Sequence, residues 1–259
     1  MTLRTRLSAF AFSMMIACFG TSANAQLIDD FSSGDLSAYT NTVVLKASGT
    51  GGVYNTEAWT STATPGELLL STTVYDGIQQ MAFVRNDFSL NDGDELQADF
   101  SNPQVGTGRN LGLFLANAAL VTGTHDGTAV TLDGRSDYLA VHSIVSNGRV
   151  QARYFDGTSE MTSGAFTPVG TDPFETYFIK RVSSTSYEIG LYDDGNREVL
   201  SAVTLTNPNE ANFLGFYADV RAAGDLGTVD NLRIVAVPEP SSFALIGLGC
   251  FLILGLRRR

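Results

Sequence analysis

Along much of the chain, apolar and polar residues change places at every second position. In Arg149-Val150-Gln151-Ala152-Arg153-Tyr154-Phe155, the residues Val150, Ala152 and Tyr154 alternate with Arg149, Gln151 and Arg153. This is the period of a strand with one wet face. SYEIGLY at 186–192 repeats the rhythm. Further strand-like runs are ELLLSTT (67–73), QQMAFVR (79–85), ELQADF (95–100), NLGLFLAN (110–117), DYLAVHSIV (137–145), ETYFIKRV (175–182), EVLSAVTL (198–205), NFLGFYADV (212–220) and TVDNLRIVAV (228–237). Short turns join them, among them Ser146-Asn147-Gly148, Ser183-Ser184-Thr185 and Asp193-Asp194-Gly195-Asn196. Asn-Gly and Asp-Gly pairs supply the positive φ that tight hairpins need. No stretch between residues 26 and 236 keeps a helical period. About twelve short strands predict an all-β fold: an antiparallel double-sheet sandwich of the jelly-roll kind, which hides faces that one open sheet would leave wet.

Both ends depart from that pattern. Residues 1–25 carry Arg4 and Arg6, an apolar run from Leu7 to Gly20, and Ala23-Asn24-Ala25. This is a signal peptide, with signal peptidase expected to cut after Ala25. Met15-Ile16-Ala17-Cys18 resembles a lipobox but lacks the leucine usual three places before the cysteine. At the other end, Val237-Pro238-Glu239-Pro240 leads into an apolar run at 243–256 and then Arg257, Arg258 and Arg259. As a helix that run is about 21 Å long against a hydrocarbon core of about 30 Å, so it spans a membrane only with help from its flanks. The arginines would stay on the cytoplasmic side, leaving the domain outside the inner membrane.

Between the ends, residues 26–236 form one predicted domain with no linker inside it. It holds eleven basic against 26 acidic residues, a net charge of −15 with histidine neutral. That charge disfavours nucleic acid and anionic membrane surfaces and favours solubility or cation binding. Both cysteines, Cys18 and Cys250, lie in the end segments, which excludes thiol chemistry and cysteine-ligated metals from the domain.

The order of VPEPSS, a short apolar helix and a terminal arginine cluster resembles the PEP-CTERM sorting signal. The resemblance covers about the last 23 residues. It implies that an exosortase, a membrane-embedded transpeptidase, recognises 237–240 and removes the tail, so that the protein passes from a membrane-anchored precursor to the cell surface or its matrix. A plain C-terminal anchor is the alternative, with the two prolines serving only to stop the last strand. Within the domain, the opening LIDDFSSGDLSAYT, the meander YFIKRVSSTSYEIGLYDDGN and the closing NFLGFYADVRAAGDLGTVDNLRI resemble the concanavalin A-like lectin/glucanase sandwich.

Enzymes of that family carry a Glu-x-Asp-x-x-Glu strand, and this chain has no such run. Glu95 and Asp99 share one strand face with Gln97 between them, which reads as a solvated face opposite Leu96, Ala98 and Phe100. His125 lies in a loop and His142 in a strand, read as a packed or surface position. Gly106, Gly108 and Gly112 precede an apolar strand where a phosphate-binding loop would need a helix. Trp59, the only tryptophan, with Tyr54 nearby, is the candidate platform for a sugar ring, against the common role of a core anchor. Strict alternation also places Asp230 on the face of Leu232 and Ile234, and Asp30 on that of Ile28. Two inward carboxylates need hydrogen bonds or a cation: either they accept backbone N–H groups at the strand ends, or they hold a structural calcium that joins the first and last strands. The chain is therefore read as a non-enzymatic exported sandwich acting in the extracellular matrix by adhesion or contact with extracellular polysaccharide. The alternatives are a divergent glycoside hydrolase and a purely structural matrix component.

Overall fold

The computed structural model describes residues 25–47, 59–62, 66–72, 78–101, 109–117, 138–144, 149–155, 160–168, 174–205, 211–220 and 224–236. The predicted signal peptide and tail helix, Tyr54 and His125 lie outside them. The described residues form fifteen strands and no helix. These are β1 (Ala25–Asp29), β2 (Thr40–Ala47), β3 (Trp59–Thr62), β4 (Glu67–Thr72), β5 (Ile78–Arg85), β6 (Asp94–Ser101), β7 (Arg109–Asn117), β8 (Tyr138–Ile144), β9 (Arg149–Phe155), β10 (Glu160–Thr162), β11 (Phe174–Arg181), β12 (Ser186–Asp193), β13 (Asn196–Thr204), β14 (Ala211–Val220) and β15 (Gly224–Ala236). Sheet A runs β13-β12-β11-β6-β15-β4-β3, with β1 also paired to β15. Sheet B runs β10-β9-β8-β7-β14-β5-β2. Every pairing with a resolved register is antiparallel.

Two of the three turns read from the sequence are in place, and Ser146-Asn147-Gly148 lies outside the described residues. Asp194 and Gly195 take φ of 51° and 78° between Asp193 and Asn196, which pair directly. Two successive positive φ values are the type I′ arrangement whose twist matches the flanking strands. At Ser183-Ser184-Thr185, the Ser183 hydroxyl accepts the N–H groups of Thr185 and Ser186 and so closes the turn from β11 to β12.

Alternation then sorts the side chains into layers. On sheet A, Leu96, Ala98 and Phe100 of β6, Tyr177 and Ile179 of β11, and Ile189 and Leu191 of β12 face inward. They meet Leu111, Leu113 and Leu115 of β7, Leu139 and Val141 of β8, and Leu214 and Phe216 of β14. Burial of each such side chain contributes about 1.5–3 kcal/mol, which makes this layer the main stabilising term. Stacked pairs fix its middle: Phe100 lies 4.5 Å from Tyr177 and Tyr39 lies 4.7 Å from Phe83, centroid to centroid. Sheet B buries a second set on its opposite face, including Phe114, Ala116, Tyr138, Ala140, Phe155 and Tyr217. The sandwich from Gln26 to Val235 is a compact unit in its own right.

The strands that alternation did not predict have physical reasons for hiding. β3 and β10 are four and three residues long, too short to show a period. In β2 the register against β5 shifts between Val43 and Leu45, so Val44 is an extra residue and the pattern reads as an unbroken apolar run.

Candidate functional site

Two outward sheet faces carry polar chemistry. On sheet A, Glu95, Gln97 and Asp99 of β6 point away from the core, as alternation requires. They are not a solvated face, which corrects the sequence expectation: Glu95 is 0% exposed. Its Oε1 accepts hydrogen bonds from Gln97 Nε2 at 2.7 Å and Tyr192 OH at 2.8 Å. Its Oε2 accepts from Nε and Nη2 of Arg197 at 3.2 and 3.1 Å. All four lone-pair positions of the carboxylate are thereby engaged. Arg197 also lies 4.1 Å over the Phe178 ring and pairs with Glu188. Burial, and then the charge of Glu95, push the Tyr192 phenol up to about 12, so it stays a donor throughout the physiological range.

Two residues along, Asp99 receives Nη1 and Nη2 of Arg233 at 2.9 and 3.0 Å, Thr176 Oγ1 at 2.6 Å and Asn231 Nδ2 at 3.1 Å. Burial alone would raise its pKa, but the hydrogen bonds from Arg233 and Thr176 outweigh that and hold it below the usual aspartate value. Arg233 Nε donates to Gln97 Oε1 at 3.0 Å, joining the Glu95 and Asp99 groups into one ladder across β13, β12, β11, β6 and β15. A ladder this saturated fastens strands together. As a general acid or nucleophile, either carboxylate would first have to give up its guanidinium.

The expected inward carboxylates are turned elsewhere. Asn231 adopts a φ of 52°, which breaks the alternation of β15 and sends Asp230 out beside Asp99 while Leu232 still faces in. Asp230 accepts the Asn231 N–H at 2.6 Å and its Nδ2 at 3.0 Å. Phe31, at a φ of 54°, takes the inward place at the other end, and Asp30 is exposed, accepting Ser32 N–H and Oγ–H. The pairing of β1 with β15 does bring the two aspartates into one neighbourhood. Burial, opposed by the Asn231 N–H, and the charges of Asp99, Glu67 and Asp30 together raise the Asp230 pKa. Among the described residues no three of His, Cys, Asp and Glu gather as a metal site.

The outward face of sheet B is different in kind. Pairing places Ala82, Tyr217, Gly112, His142 and Gln151 in one row across β5, β14, β7, β8 and β9, with Val84, Gly215, Phe114, Ala140 and Arg153 in the next. Gly112 shapes the first row. A Cβ there would strike Val141 O and His142 Cβ, so its absence lets the His142 and Tyr217 rings lean together over β7 to 5.7 Å. Phe114 stacks 5.9 Å from both Tyr217 and Tyr138. Arg153 Nη1 donates to Tyr217 OH at 3.2 Å, and His142 Nδ1 lies 3.1 Å from Ser143 O. A carbonyl only accepts, so that nitrogen carries the proton. These rings are buried, with Phe114, Tyr138 and Tyr217 at 0% exposure, while Gln151 and Arg153 beside them are partly exposed. Among the described residues, none of the outward positions on β7, β8 and β9 is a carboxylate. Sequence reasoning passed over the face because LGLFLA and most of YLAVHSI are apolar on both sides; His142, left open as a packed or surface strand residue, is packed.

Trp59 stands opposite Leu70 at the edge of sheet A, and its side chain, like Tyr54, lies outside the described residues. The sequence-predicted sugar platform is therefore neither assembled nor dispersed by the described structure.

Comparison with known proteins adds two findings. The PEP-CTERM protein-sorting motif matches residues 236–259, which takes in Val237, Pro238, Glu239, Pro240 and the three terminal arginines. No curated protein is similar enough in sequence to count as a relative. Solved structures share the fold: a LamA variant from Z. galactanivorans in complex with laminaritriose and laminaritetraose has 12% identity and a TM-score of 0.53, covering 84% of this chain and 99% of that one. SCLam, a non-specific endo-β-1,3(4)-glucanase from family GH16, gives 11% and 0.51 over 83% and 93%. A GlcNAcα1-4Gal-releasing endo-β-galactosidase from Clostridium perfringens gives 9% and 0.54 over 82% and 62%. These neighbours correct the expectation of a non-enzymatic protein. The fold is shared with named endo-acting glycosidases, so a missing Glu-x-Asp-x-x-Glu run is no ground for excluding turnover. The chain therefore carries a PEP-CTERM protein-sorting motif at residues 236–259 and a jelly-roll β-sandwich that shares the fold of GH16 endo-glucanases.

Proposed function

We propose that the sandwich engages a neutral extracellular polysaccharide through the outward face of sheet B, after delivery to the cell surface through its tail. The observation that supports this most is a pair of partly exposed planar polar side chains, Gln151 and Arg153, held beside a buried aromatic layer of Phe114, Tyr138 and Tyr217, with Arg153 Nη1 donating to Tyr217 OH. Sugar hydroxyls bond planar polar side chains of this kind, which a packed layer beneath holds in place. The net charge of −15 between residues 26 and 236 repels polyanions, which favours an uncharged chain as the ligand.

The test is cosedimentation of residues 26–236 with the producer's own polysaccharide, with released reducing ends measured in the same tubes. Retention that falls at least tenfold in a Gln151→Ala/Arg153→Ala variant supports the reading. Retention that depends instead on Trp59 moves the site to the edge of sheet A. Release of reducing ends by the wild type assigns turnover as well as binding, as the names of the structural neighbours suggest. Absence of retention contradicts the reading.

A further inference from the structure

We infer that the last residues of β15 belong to the sorting site: the tail is cut only after residues 234–236 peel from the sheet, and the Arg233–Asp99 pair sets how often they do. This rests on the reading of residues 236–259 as a working sorting motif.

Strand and motif share a residue. β15 runs to Ala236 and the sorting motif begins at Ala236, so no spacer separates the folded sheet from Pro238-Glu239-Pro240. Nor is β15 a free edge. It lies between β6 and β4 in sheet A, and β1 pairs with it as well. β4 accounts for Gly224 to Val229. The backbone of Asp30, just past β1, lies against Gly66, just before β4: a Cβ on Gly66 would sit 3.3 Å from Asp30 O. β1 therefore approaches β15 where β4 leaves it. On the β6 side, both terminal nitrogens of Arg233 grip Asp99 at 2.9 and 3.0 Å, three residues before the motif begins.

An enzyme that cuts a peptide binds it extended, through backbone groups on both sides of the scissile bond. Residues 234–236 already lie in strand β15, which commits their backbone to the sheet. They become available only when the strand end opens, and when opening is fast relative to cutting, the rate follows the open population. Arg233 is then a positioning residue for processing, acting through the strand it holds.

A pulse–chase of the full-length precursor in the producing cell reads the half-time of tail loss by intact mass. Three variants decide the matter: a six-residue Gly-Ser spacer between Ala236 and Val237, Arg233→Ala, and a Pro238-Glu239-Pro240 triple alanine control. The spacer and Arg233→Ala should each shorten the half-time by about threefold or more, since both make extended backbone available without touching the motif. An unchanged half-time with the spacer overturns the proposal, and this holds even if Arg233→Ala fails to fold. Acceleration by the spacer but not by a folded Arg233→Ala shows that reach rather than peeling is limiting, and also overturns it. If the triple alanine control loses its tail at the wild-type rate, the sorting reading itself fails and the proposal with it.

Discussion

At the scale of single residues, Glu95 decides how the outward face of sheet A is to be understood. It is fully buried and holds Arg197, Tyr192 and Gln97, so Glu95→Gln leaves a guanidinium without its counter-charge. Breaking such a pair costs about 3–5 kcal/mol when both partners are buried; with Arg197 31% exposed, about 2 kcal/mol is expected, read from the urea midpoint of the sandwich. Asp99 and Asp230 titrate in opposite senses. Asp99 has a lowered folded pKa, so its contribution is present above the unfolded value near 4 and is lost as the pH falls through the folded one. Asp230 has a raised folded pKa, so it opposes folding once ionised, and that penalty disappears as the pH falls. Asp230→Asn should therefore raise the melting temperature at pH 7 and have no effect near pH 3, while keeping an oxygen for the Asn231 N–H. A melting temperature lowered equally at both values would show that hydrogen bonding, not charge, dominates there. None of this ladder was legible in the sequence, because Arg197 and Tyr192 lie about a hundred positions from Glu95 and only the folded sheet makes them neighbours.

At the scale of elements, the strands that the sequence disclosed are those with an unbroken two-residue period and a turn with its own chemistry. β9 and the β12–β13 hairpin with Asp194-Gly195 are of this kind. What stayed hidden follows from residues that interrupt the period, Val44 in β2 and Asn231 in β15. The second of these reversed the expected direction of Asp230. Gly112 gives an element-level prediction. Gly112→Ala drives a methyl into Val141 O and the His142 side chain, so β7 and β8 must part and the His142–Tyr217 approach is lost. A cost of about 2–3 kcal/mol is expected from such overpacking. A folded Gly112→Ala protein should also bind polysaccharide more weakly, whereas Gly195→Ala, at a φ of 78° in an open turn, should cost about 1–2 kcal/mol and leave binding alone. Chemical denaturation separates the stability terms and cosedimentation the binding ones.

At the scale of the whole molecule, export and sorting are written in the two end segments, and the sandwich between them was legible as an architecture before it was legible as a surface. Its fold resembles structures of endo-acting glycosidases, and its outward faces differ: sheet A is closed on itself by charge pairs, and sheet B buries its rings and leaves Gln151 and Arg153 partly exposed. The claim that sheet B contacts a neutral glycan is tested most directly by titrating the purified producer polysaccharide into residues 26–236 by isothermal calorimetry at low and high salt. The account predicts a saturable heat that changes little between 50 and about 500 mM salt, because no ion pair drives it, and that disappears in Gln151→Ala/Arg153→Ala. Absence of heat from the folded wild-type domain, or binding of equal strength in that double variant, would contradict it.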